Sequence, residues 1–361
     1  MRRFLLAAAL SLATAAAPAA AGDPAPAAPA SVGLATVRFD DAASGRSLAG
    51  YAWYPTTSEA PAETIDGNAV WVGFEAVRDA APAGGRHPLV VLSHGWTGNR
   101  RNEAWLAIAL AARGAIVAAI DHPGTTSFDH ASAETPKLWE RARDIGRVID
   151  GITADPRFAG RIDMDRIAVI GHSMGGWTAM AVAGARIDMA QTERDCAAHP
   201  ELATCQWLAE HADRSAAARA LYEQDLRDPR VKAVVPLDLG LTGGLSPASL
   251  AAVDVPVLVI AAGGRNPELP AALESRRLVA RLPAATTTYL EIPDAGHFSF
   301  LGICKPGAEA FLKSETPGDE IVCRDALPEG GAPGRDRAAI HTAVVDAVVA
   351  FLANAGILDG R

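Results

Sequence analysis

Five stretches of this chain are apolar at nearly every position and end in a glycine-bearing turn: LVVLSHG (89–95), AIVAAIDHPG (115–124), RIAVIGHSMGG (166–176), VKAVVPLDLG (231–240) and VPVLVIAAGG (255–264). A strand with one wet face alternates apolar and polar residues, whereas one that is apolar throughout is covered on both faces. Segments of helical periodicity lie between these runs, among them NEAWLAIALAARG and LWERARDIGRVIDGITADP. The alternation implies an α/β fold with a mostly parallel central sheet and helices on both faces. Before it, TVRFDD, LAGYAWYP and NAVWVGFEAV read as strands of an antiparallel opening hairpin with an insertion. After it, ELPAALESRRLVARL reads as a helix, TTTYLEIPDAGHFSF as a strand and loop, and DRAAIHTAVVDAVVAFLANAG as a closing helix.

The third apolar run carries the chemistry. Ile167 to Ile170 is strand-like, Trp177 to Ala183 starts a packed helix, and Gly171-His172-Ser173-Met174-Gly175 between them fits G-x-S-x-G. That spacing suits a nucleophile elbow, in which serine occupies a strained strand-to-helix turn and the glycines leave room for a tight reversal. A plain Gly-Ser turn would read the same over five residues, so the rest of the chain has to decide.

The N-terminal MRRFLLAAALSLATAAAPAAAGDP has a basic start, an apolar middle and an Ala-x-Ala site ending near Ala21, the pattern of a signal peptide over 1–21. Residues 22–34 form a Pro/Ala-rich lead-in, and 35–361 read as one domain carrying a helical cap insertion at 186–230. Loss of Arg2 and Arg3 shifts the formal charge from −9 to −11, so nucleic acid is not an electrostatic partner. Beyond the leader, no stretch reads as long and apolar enough to span a bilayer. In an exported chain, Cys196, Cys205, Cys304 and Cys323 read as disulfides, and the pairings closing the shortest loops are Cys196–Cys205 and Cys304–Cys323. Zinc is the rival reading, but no His pair stands at ligand spacing beside them. No metal or cofactor is expected.

A serine hydroxyl needs an adjacent base, itself oriented by a third group. In an open parallel sheet such groups collect at the carboxyl ends of the strands. There stand His94-Gly95-Trp96, Asp121-His122, Ser173, Asp238 and Asp294-Ala295-Gly296-His297. His297 is the base candidate, completing the chain order Ser…Asp…His. His94 and His172 flank backbone turns and read as packed neighbours, His122 and His130 as loop histidines near the same edge, and Asp121 as a turn residue. The acid candidate is Asp238, directly after VKAVVPL. Glu268, four residues past Gly264, is its rival and is equally well explained as a first-turn helix residue. Candidate oxyanion donors are the backbone N–H groups of Met174 and Trp96.

Together LSHGWTG, AAIDHPG, GHSMGGW, VKAVVPLDLG and IPDAGHFSFLGIC resemble the α/β-hydrolase superfamily over roughly Val37 to Leu352. More narrowly, they resemble bacterial dienelactone-hydrolase-like proteins related to the platelet-activating-factor acetylhydrolases. The resemblance implies metal-free, serine-dependent hydrolysis of short-acyl or soluble esters. By motif position it assigns Ser173 as nucleophile, Asp238 as acid, His297 as base, and Trp96 with Met174 as oxyanion donors. The chain departs from that pattern in its insertion at 186–230 and in having serine where dienelactone hydrolases usually use cysteine. The expectation is therefore an exported, periplasmic or secreted serine esterase acting on a small-molecule ester through an acyl-enzyme, without stable membrane insertion. An amidase or peptidase on the same triad, or a non-catalytic binding protein on the same scaffold, are the alternatives. The oligomeric state is left open.

Overall fold

The computed structural model describes residues 31–325 and 334–359, so the expected leader lies outside the described residues. The chain opens with β1 (Ser31–Asp41) and β2 (Arg46–Thr56), antiparallel along their whole length, with β1 beginning ahead of the expected domain start at residue 35. Two short strands follow, β3 (Glu63–Ile65) and β4 (Phe74–Arg78). Only the last part of NAVWVGFEAV is strand. Trp71 instead makes a single bridge to Cys304, far along the chain.

The five apolar runs then become β5 (His87–Ser93), β6 (Ile116–Ile120), β7 (Ile162–His172), β8 (Ala233–Leu237) and β9 (Val257–Ala262), and β10 (Thr287–Ile292) closes the series. The sheet order is β10-β9-β8-β7-β5-β6-β2-β1-β4-β3. Every pairing from β6 to β10 is parallel, and β2 joins β6 antiparallel. The mostly parallel sheet expected from the apolar runs is thus present.

Helices cover both faces. On one side lie α1 (Ala104–Ala111) and the closing helix; on the other, α2 (Leu138–Ala154) and α3 (Met174–Val182). The insertion is helical, comprising α4 (Met189–Ala198), α5 (Ala203–His211) and α6 (Ala216–Tyr222). Asp188 and Ser215 cap α4 and α6 by accepting the Gln191 and Ala218 N–H groups. Short helices α7 (Pro247–Ala251), α8 (Ser275–Val279) and α9 (Ala308–Glu315) precede α10 (Arg337–Asn354). The long helix expected from ELPAALESRRLVARL is only α8: Pro270 disfavours helical backbone at Leu269, so no helix starts at Glu268, and 271–274 form turns ahead of α8.

One expectation is corrected. By length and apolar content α10 could cross a membrane, with a mean hydropathy of 1.3. In the fold, Ile340, Val344, Val348 and Leu352 recur at helical spacing and are fully buried in the core on one face of the sheet.

Both expected disulfides are formed, Cys196–Cys205 between α4 and α5 and Cys304–Cys323 around α9. The second holds a segment that is also pinned by Lys305 N–H to the Val70 carbonyl (2.7 Å) and Val72 N–H to the Ile303 carbonyl (3.0 Å). Replacing Cys304 and Cys323 together by serine should cost about 3 kcal/mol, the loop-entropy value for a loop of this order. Chemical unfolding measures it, and an unchanged stability would contradict the assigned role of the bridge.

Candidate active site

At the end of β7 the backbone of Ser173 turns to φ 55°, ψ −120°, a region non-glycine residues rarely enter. The flanking glycines are sterically required. A Cβ on Gly171 would stand 2.1 Å from the Gly175 carbonyl oxygen, and one on Gly175 would stand 1.7 Å from the Ser93 carbonyl oxygen. The turn is fixed by Ser173 N–H donating to the Leu237 carbonyl at 2.9 Å, which also ties it to β8. Thr97, Asp238 and Leu241 likewise have positive φ, so strained backbone gathers around this end of the sheet.

Asp238 follows β8 directly and is buried. Its N–H donates to the Ile260 carbonyl (2.7 Å), and its Oδ1 accepts the Ala262 N–H (2.9 Å). The remaining oxygen, Oδ2, is 2.7 Å from His297 Nδ1. Nδ1–H therefore donates to Asp238, which leaves Nε2 of the neutral imidazole as an acceptor. Glu268 is exposed and makes no contact with His297; its N–H bonds Asn266 Oδ1 (3.1 Å) and its carbonyl accepts the Ala203 N–H (2.8 Å). Ser173 and His297 line one cavity of about 490 Å³, together with Gly95 and Trp96.

The backbone N–H groups of Trp96 and Met174 have no backbone acceptor among the described residues, whereas the next N–H, on Thr97, bonds the Thr125 carbonyl (3.0 Å). Met174 is the first residue of α3, so its N–H is one of the free donors at a helix start. A Cβ on Gly95 would come within 3.0 Å of Ser173 Cβ, so glycine allows the loop after β5 to approach the elbow.

The neighbouring histidines are structural, as their places beside turns suggested. His172 Nε2–H donates to the His297 carbonyl (2.9 Å), bracing the loop that carries His297. His94 Nδ1–H donates to the Gly95 carbonyl (2.7 Å), and its Nε2 accepts the His122 N–H (3.0 Å). His122, expected as a loop histidine at this edge, lies buried between Ser93 Oγ and Asp144 Oδ2, each at 3.0 Å. Burial holds all three well below the usual histidine range. His130 is exposed and stands edge-on to Trp96. Asp121 accepts the Arg100 N–H (2.8 Å) and pairs with its guanidinium.

The insertion meets the site through Trp96, whose ring packs on Trp207 and His211 of α5 at 5.7 and 5.0 Å. No residue of 186–230 lines the cavity that holds Ser173 and His297. Val70 and Trp71 also line it, together with Leu312 and Val322 of the disulfide-closed segment to which Trp71 is bridged. A separate cavity of about 570 Å³ lies within the insertion, away from Ser173. Sequence reasoning missed this part of the lining, and it missed the polar layer of Arg46, Arg141 and Asp144 under the loop after β5. Arg141 could have been noticed, because it falls on the apolar stripe Leu138, Ile145, Val148, Ile152 of α2.

Six buried groups set a pH dependence of stability. Burial lowers the pKa of His94, His122 and His172, and that of His341 to about 4; it raises Glu103 to about 8 and Glu274 to about 7. As pH falls below the ordinary histidine range, the unfolded chain takes up four histidine protons that the native state resists, while the native state keeps two carboxyl protons. The net excess in the unfolded state makes stability rise with pH through the acidic range. Between about pH 6.5 and 8, below the range where Arg141 titrates, the two carboxyls dominate the difference, and stability falls as pH rises through their native values. A maximum near pH 6.5 is expected in unfolding midpoints, and a flat profile from about pH 5 to 8 would contradict this balance.

With this geometry in place, comparison with known proteins defines the class. A model of the alpha/beta hydrolase family matches residues 90–302, more than half of the chain. The chain belongs to the alpha/beta hydrolase family. A cutinase of Thermobifida alba is 35% identical over 102 residues, covering 28% of this chain and 31% of the cutinase. A bis(hydroxyethyl) terephthalate hydrolase of Streptomyces coelicolor is 27% identical over 211 residues, 58% of this chain and 50% of that protein. The chain thus aligns with half or less of these relatives. A ferulic acid esterase from Streptomyces cinnamoneus superposes with a TM-score of 0.61 at 23% identity, covering 93% of both chains, a likeness of fold. The narrower dienelactone-hydrolase-like resemblance has no counterpart among these relatives.

Proposed function

We propose that this chain is a serine carboxylic-ester hydrolase working through an acyl-enzyme. The observation that carries the reading is the His297 Nδ1–Asp238 Oδ2 contact of 2.7 Å, beside a serine held at positive φ on the same cavity. Ser173 Oγ attacks the ester carbonyl carbon while His297 Nε2 takes its proton. The carbonyl oxygen becomes an oxyanion facing the N–H groups of Trp96 and Met174. Collapse breaks the bond to the alcohol oxygen, which leaves with the proton from His297. Water, deprotonated by the same nitrogen, then attacks the acyl carbon; the bond to Ser173 Oγ breaks, the acid leaves, and Oγ takes the proton back from His297. Asp238 holds the tautomer and stabilises the imidazolium in both halves.

The related cutinases, the terephthalate-ester hydrolase and the ferulic acid esterase support an ester as substrate. Short-acyl or soluble esters remain our reading of the substrate. The leader-like residues 1–21 and the two disulfides support export, and the insertion acts as a cap that buttresses Trp96. A panel of p-nitrophenyl esters of increasing acyl length, set against matching anilides, tests the reading. Turnover of short esters with little anilide cleavage is expected; anilides turned over faster, or long acyl chains preferred, would contradict it.

A further inference from the structure

Arg141 on α2 is sealed in the interior at 1% exposure, and no carboxylate pairs with it among the described residues. Its contacts are to hydroxyls and a carbonyl. Burial pulls its pKa down to about 9, which leaves it a cation at neutral pH. A buried charge with no carboxylate in direct contact is costly to keep, and the nearby Asp144 only partly offsets its burial; its acceptors lie on the segments that carry the two oxyanion donors.

Three paths lead from the guanidinium. Nη2 donates to the His94 carbonyl, two residues before Trp96, and to Ser93 Oγ (3.2 Å). Nη1 donates to Thr125 Oγ1 (2.5 Å), and the Thr125 carbonyl accepts the N–H of Thr97, directly after Trp96. Nε donates to Thr178 Oγ1 (3.1 Å), whose hydroxyl donates to the Met174 carbonyl (3.1 Å). We infer that Arg141 is a positioning residue for the oxyanion pocket: one guanidinium fixes the chain on both sides of Trp96 and the first turn bearing Met174, and keeps positive charge behind both donors. The inference rests on the serine-hydrolase reading. Negative charge appears on the substrate oxygen only in the transition state, so the effect falls on turnover rather than on ester binding.

The test compares Arg141→Met, Arg141→Lys and Thr178→Val with wild type on p-nitrophenyl acetate, and measures inhibition by a trifluoromethyl ketone, whose serine adduct carries the oxyanion. Arg141→Met should lose about 10²–10³ in kcat with KM within about threefold, and inhibitor affinity should fall in step. Lysine keeps the charge but not the three-way fork, so Arg141→Lys should recover part of the loss. Thr178→Val, which cuts only the path to Met174, should lose about tenfold in kcat. A folded Arg141→Met with kcat within about threefold of wild type, or with unmoved inhibitor affinity, would overturn the inference. If that variant does not fold, Thr178→Val with full kcat and full inhibitor affinity overturns it. Absence of Ser173-dependent hydrolysis in wild type would instead sink the underlying serine-hydrolase reading, whereas normal wild-type turnover with indifferent variants sinks only the role of Arg141.

Discussion

Ser173→Ala should give a folded protein whose ester turnover is lower by roughly 10⁶, the loss found when a serine nucleophile alone is removed from such a triad. The fold should not respond, because the Ser173 hydroxyl holds no protein hydrogen bond among the described residues. The elbow itself is held by backbone, through Ser173 N–H to Leu237 and the glycine contacts at 171 and 175. Alanine tolerates φ 55° no better than serine does, but it removes only the reacting oxygen. Initial rates on a short p-nitrophenyl ester, with host esterases excluded, measure the effect. A variant within about tenfold of wild type would contradict the role of Ser173.

Asp238→Asn should be nearly as damaging, lowering turnover by up to about 10⁴, while Glu268→Gln keeps most of its rate. The hydrogen bonds around Asp238 dictate the outcome. Oδ1 accepts the Ala262 N–H, so the asparagine oxygen is required there and its NH₂ must face His297. A donor opposite Nδ1 forces that nitrogen to become the acceptor and moves the ring proton to Nε2, where the base is needed. The substitution nearly conserves volume, yet it installs the wrong tautomer. Glu268 is exposed and touches neither His297 nor the cavity lining, so its amide should be silent. The opposite pattern in two folded variants would move the acid to the loop after β9.

The layout of the sheet was legible because parallel strands buried on both faces leave continuous apolar runs, and their carboxyl ends mark where polar groups converge. Asp238 could be preferred over Glu268 on that ground alone. Other features leave no periodic trace. The bridge from Trp71 to Cys304, which builds a cavity wall, joins residues far apart in the chain through one backbone pairing. Arg141 does leave a trace, as a charged residue within the apolar stripe of α2, but the groups it binds come from three distant segments and are seen only in the fold. The closing helix shows the converse. Its hydropathy reaches that of a membrane span because so much of α10 is apolar, and only packing against the sheet reveals where that surface goes.

The central claim, that Ser173 is a nucleophile activated by His297 and Asp238, is met most directly by covalent trapping. A fluorophosphonate reacts with an activated serine and spares ordinary hydroxyls. Intact mass and peptide mapping after treatment should find one adduct per chain, on the peptide containing Ser173. The adduct should be absent from Ser173→Ala and should form far more slowly on Asp238→Asn. A folded wild-type protein that takes up no label, or carries it on another residue, would contradict the account.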